Sequence, residues 1–118
     1  MRMGAQMSLV AFQATPAGSQ QTYDCSFHTL TTGIAPRHSD TVDVKFMIGG
    51  RAIVVALPHN AFAEFKQTAG RPLTDREAIE TAGFILKSLL ERGQWFDETE
   101  YRPSKQETLA AIGRITQA

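Results

Sequence analysis

Cysteine is nearly absent from this chain: its 118 residues include one, Cys25. No intramolecular disulfide can form, which excludes the cystine-stapled scaffolds of small secreted proteins and makes a cytoplasmic location the expectation. An excess of charge of either sign is missing too, because 12 Lys and Arg stand against 12 Asp and Glu, for a formal net charge of zero. A polyanion-binding protein carries a surplus of cations, so nucleic acid is not the expected partner. No apolar run approaches the roughly 20 residues that a membrane-crossing helix needs. Near the N-terminus, Leu9-Val10-Ala11-Phe12 is broken by Gln13 and is too short for a signal-peptide core, so no membrane partner is expected. Several chemical motifs are also lacking. There is no G-x-S-x-G elbow, no H-E-x-x-H pair, no phosphate-cradling glycine loop and no G-x-G-x-x-G fingerprint.

What is present suits an ordinary folded domain. The hydrophobic set makes up 42% and charged residues 20%, and a chain of this length buries roughly two-thirds of its unfolded surface. One domain over residues 7–118 is expected, with Met7 as a natural start and residues 1–6 as an upstream or vector-derived extension. Charge is unevenly spread. Residues 1–50 hold three basic and three acidic groups, and the remaining 68 hold nine of each. That split matches strands first and helices later.

Periodicity locates the elements. Residues 8–14 read as a short strand, and Tyr23, Cys25 and Phe27 alternate with polar neighbours in the period of a half-buried strand. The stretch from Thr32 to Asp40 reads as a long connection. Val42, Val44, Phe46 and Ile48 then alternate with Asp43, Lys45 and Met47, followed by Gly49-Gly50 and the β-branched run 51–57. Two such runs around Gly-Gly predict a 42–48/51–57 hairpin. Its second strand is apolar on both faces and belongs inside a sheet. Pro58 opens a short helix over 59–68, stopped by Gly70-Arg71-Pro72. Thr74-Asp75-Arg76-Glu77 has the form of a capping box, and the apolar spacing behind it predicts a helix over 75–92 closed by Gly93. Residues 94–103 break the helical pattern. Ser104-Lys105-Gln106-Glu107 repeats the capping form before a helix over 105–116. The fold class expected is α+β: an antiparallel sheet of three to four strands with two to three helices on one face.

Candidate chemistry is sparse. Cys25 and His28 have a C-x-x-H spacing, and a thiol paired with His28, His38 or His59 is one enzymatic or ligand-binding alternative. In a strand, however, positions 25 and 28 point to opposite faces, and a zinc site needs more ligands than these. No metal site and no cofactor are expected. Asp97, Glu98 and Glu100 form an acidic run beside Trp95, Phe96 and Tyr101. Aromatic residues are enriched among interface hot spots and acidic flanks steer partners, so this segment is the candidate partner-binding site. A second alternative is weak nucleic-acid binding through Lys45, Arg51 and Arg71. The helices at 59–92 have the outline of a helix-turn-helix, but Arg76, Lys87 and Arg92 are matched by Glu77, Glu80 and Glu91. The function expected is therefore a small cytoplasmic interaction or accessory module, regulatory in character, that binds another protein or assembles as a homo-oligomer, a homodimer first. Zero net charge favours that assembly, because neutral proteins repel each other least.

Overall fold

Gly49 and Gly50 both adopt positive φ, 53° and 88°, the backbone of a type I′ turn whose twist matches that of the strands it joins. The computed structural model describes residues 9–33, 41–93 and 99–116. Around this turn, β3 (Thr41–Ile48) pairs with β4 (Arg51–Pro58) from Ile48↔Arg51 through Thr41↔Pro58. The predicted hairpin is thus present with its register set by the two-residue loop. On its other side β3 pairs with β2 (Tyr23–Gly33), which in turn pairs with β1 (Ala11–Ala14). These four strands are antiparallel. A fifth, β5 (Glu100–Tyr101), lies parallel to β4, giving the order β1-β2-β3-β4-β5.

Two details depart from the expected antiparallel sheet. The sheet is mixed, because the return of the chain after the long helix lays Glu100 and Tyr101 beside Val54 and Val55, with the Val54 N–H donating to the Thr99 carbonyl at 2.9 Å. A two-residue strand has no periodicity to read. Further, β2 extends through Gly33 into the segment expected to be a connection. The register shifts between Phe27 and Thr29, so that Phe27 opposes Phe46 and Leu30 opposes Val44. This β-bulge at His28 puts residues of opposite parity on the same face and hides the alternation.

Helices α1 (His59–Ala69), α2 (Asp75–Glu91) and α3 (Lys105–Thr116) cover one face of the sheet. Each begins and ends where local chemistry allows. Pro58, in an extended conformation, precedes α1, and Gly70 closes it at a φ of 76°. The Thr74 hydroxyl accepts from the Glu77 N–H while the Glu77 carboxylate accepts from the Thr74 N–H, each at 3.0 Å, completing the capping box of α2. At α3 the box is half formed: the Ser104 hydroxyl accepts from the Glu107 N–H at 3.0 Å, but the Glu107 carboxylate is used elsewhere.

The core lies between the sheet and the helices. Val42, Val44, Phe46 and Ile48 of β3 and Ile53, Val55 and Leu57 of β4 meet Ala82, Ile85, Leu86, Leu89 and Leu90 of α2. Phe46 sits at its centre, fully buried, with Phe12 and Phe27 edge-on at 6.0 and 6.3 Å between ring centroids. Burying one such side chain contributes about 1.5–3 kcal/mol. A smaller cluster of Ala61, Phe65 and Ile112 joins α1 to α3.

Two helical glycines test this packing in opposite directions. A Cβ on Gly83 of α2 would collide with the backbone oxygen of Leu9 and stand 3.0 Å from the Leu9 Cβ, whereas a Cβ on Gly113 of α3 meets nothing within 4 Å. Gly83→Ala is therefore expected to destabilise by about 1–3 kcal/mol through overpacking, despite its better helix propensity. Gly113→Ala is expected to stabilise by about 0.5–1 kcal/mol. Urea denaturation of the two variants measures both, and equal signs would contradict the contact of α2 with Leu9.

Candidate functional site

Strand alternation divides the sheet into a face covered by the helices and a face that no described helix covers, the uncovered face. On the uncovered face, β3 carries Asp43, Lys45 and Met47, and β4 carries Ala56, Val54 and Ala52 directly opposite them. Next to these on β2 stand Thr31, Thr29 and Ser26, and Glu100 of β5 lies beside Val54. On this face Met47 and Ala52 near the turn and Val54 opposite Lys45 are partly exposed, and Ala56 opposite Asp43 is buried. The charges of the face sit in alternation along β3. The Asp43 carboxylate accepts from the Thr41 hydroxyl at 2.8 Å, and Lys45, one residue beyond in the same row, has no ion-pair partner among the described residues.

The acidic and aromatic segment is split by the same alternation. Glu100 pairs with Arg102 at 2.9 Å, and the Tyr101 ring packs against the core. The Tyr101 hydroxyl donates to the Glu107 carboxylate at 2.7 Å, and burial together with that carboxylate pushes the phenol up to about 12. Trp95, Phe96, Asp97 and Glu98 lie outside the described residues.

Cys25 faces the core, 2% exposed, with its thiol donating to the Tyr23 carbonyl at 3.8 Å. Burial, reinforced by Asp24, pushes the thiol up to about 11. His28 is exposed at the bulge, and no hydrogen bond joins the two side chains. The basic candidates are likewise not brought together. Lys45 stands on the uncovered face, while Arg51, opposite Ile48, has the parity of the covered face and lies exposed at its rim. Arg71, in the α1–α2 connection, makes two 2.9 Å hydrogen bonds to Glu77 and lies 5.3 Å over the Phe65 ring. That guanidinium, with the Thr74 N–H, holds the Glu77 carboxyl down to about 2. Here Arg71 supports the capping box of α2.

A groove of about 300 Å³ between α2 and α3 has no counterpart in the expectations from sequence. Buried Ile85 and Ala111 form its floor, and Ser88 and Ala110 line its middle. At one end the Arg114 guanidinium lies 5.4 Å over the Phe84 ring, and at the other stand Arg92 and Glu107. The only trace of this groove in the sequence is a helical stripe on each of two elements, whose juxtaposition a one-dimensional pattern does not encode. Among the described residues no group of three His, Cys, Asp or Glu side chains is placed to hold a metal ion, and no helix is long and apolar enough to cross a membrane.

Two measurements follow from these environments. A thiol raised from 9.0 to about 11 has a thiolate fraction about 100-fold lower at neutral pH. Native protein is therefore expected to react with Ellman's reagent at least that much more slowly than denatured protein, and equal rates would place Cys25 at an accessible surface. Glu77, lowered from 4.5 to about 2, contributes stability that is complete above pH 4.5 and is lost as pH falls through 2. Urea midpoints recorded between pH 5 and 2 are expected to fall more steeply for the native chain than for Glu77→Gln.

Compared with models of protein families, with curated proteins and with solved structures, the chain matches none.

Proposed function

We propose that this protein is a small cytoplasmic interaction module that acts without catalysis of its own and assembles as a homodimer through the uncovered face of its sheet. The observation that carries this reading is the pattern on that face. A strip of partly exposed apolar side chains, Met47, Ala52 and Val54, runs beside one anion and one cation two residues apart on β3, with Lys45 directly opposite Val54.

A twofold axis passing near Val44, with the β3 strands of two copies crossing antiparallel, would bring Asp43 of each copy toward Lys45 of the other. An isologous interface needs such self-complementarity, since the same patch must serve on both sides. The apolar strip supplies the dehydrated centre and the charges fix the register. A net charge of zero offers little resistance to this association. The buried, weakly acidic thiol of Cys25 and its separation from His28 also favour a non-catalytic role over a thiol-based reaction.

Light scattering on the purified chain is expected to give twice the 13.0 kDa of one copy. Val54→Glu, which places a charge in the centre of the strip, is expected to give a monomer with an unchanged circular dichroism spectrum. Lys45→Glu should weaken the dimer about tenfold by setting like charges against each other, and the swap Asp43→Lys with Lys45→Glu should restore it. A mass of one copy at all concentrations up to about 1 mM, a standard weak-association limit, would remove this reading.

A further inference from the structure

We propose that the groove between α2 and α3 is a second docking surface, which takes an acidic amphipathic helix from a partner protein. It lies on different elements from the sheet face and does not depend on dimerisation.

The two helices run antiparallel along the groove, so that Arg114 near the end of α3 reaches Phe84 of α2, and Glu107 near the start of α3 stands at the Arg92 end. The groove therefore has a guanidinium at each end. Phe84 and Arg92 are eight positions apart in the chain, so at 1.5 Å per helical residue the two ends of the groove lie about 12 Å apart along the axis of α2. Two turns of a helix span about 10.8 Å, which matches carboxylates seven residues apart on one face of a docked helix.

Neither guanidinium is neutralised by an ion pair among the described residues, whereas the neighbouring cations of α2 are: Arg76 is bound to Glu80 and Lys87 to Glu91. The carboxylate that lines the groove, Glu107, accepts from the Tyr101 hydroxyl at 2.7 Å and forms no ion pair with either guanidinium. Between the ends, Ser88 and Ala110 are small, which lets the backbone of a third rod approach closely over an apolar floor. A short organic anion would meet one arginine and leave the other unused, while a helix with acidic ends and apolar or small residues between them meets both. This is helix-in-groove recognition with charge setting the register.

The probe is a fluorescein-labelled amphipathic peptide of about 18 residues, long enough to form a helix when bound. It carries leucine at the contact positions and two glutamates seven apart, and a control peptide has glutamine in their place. Fluorescence anisotropy with the full chain is expected to show saturable binding of the glutamate peptide that weakens with salt. Binding should be about tenfold weaker for the glutamine peptide and for Arg92→Glu or Arg114→Glu separately. Ser88→Trp, which fills the middle of the groove, should abolish it, while Val54→Glu on the sheet face should leave it unchanged. Circular dichroism of each variant confirms that the fold is retained. Backbone amide shifts should move along α2 and α3. Absence of saturable binding, equal affinity for the two peptides, or amide shifts confined to the sheet would overturn the proposal.

Discussion

The register of the β3–β4 hairpin is the constraint on which the rest of the structure depends. Because side chains alternate with a period of two, a slip of one residue would send Val42, Val44, Phe46 and Ile48 into water and turn Asp43, Lys45 and Met47 into the core. The Gly49-Gly50 turn prevents that slip. It needs positive φ at both central positions, which glycine adopts without steric cost, and it leaves Ile48 opposite Arg51. From that pairing the facing of every other side chain on the two strands follows.

The helical layer answers to the same register. Phe46 presents the largest fully buried side chain of the core, and α2 lies over it with Ala82, Leu86 and their neighbours. The close approach at Gly83 brings α2 against Leu9, ahead of the first strand. Helix α3 then rests on α2 and α1 rather than mainly on the sheet, and the Tyr101–Glu107 hydrogen bond ties its first turn to β5. Among the surfaces that the described residues leave open are the uncovered side of the sheet and the trough between the outer parts of α2 and α3. Both combine small apolar side chains with charges that the surrounding structure does not fully neutralise.

Cys25 illustrates how the fold weighs a motif. Its spacing to His28 invites a thiol reading, yet the alternation that makes β2 a strand also turns the sulfur inward and leaves the imidazole at the bulge. Arg71 shows the same effect from the other side. Counted among the cations, it suggests an anion site, but in the folded chain its two donors hold the carboxylate that caps α2.

Local rules made much of the fold legible. The Gly-Gly hairpin, the Thr74–Glu77 capping box, Gly70 and Gly93 as helix stops, and the three helices all rest on interactions within a few residues, and so they can be read from the order of side chains alone. The bulge at His28, the parallel pairing of Glu100 and Tyr101 with β4, the diversion of Glu107 from its cap to Tyr101, and the groove framed by Arg92 and Arg114 could not. Each depends on atoms far apart in the chain, brought together only when α2 crosses the sheet and α3 returns along it. The sequence by itself determined the elements, their ends and the face that each must bury, because burial pattern and capping are local. Only the tertiary structure decided which charges remain unpaired and which surfaces lie open, because those are set by what packs beside them.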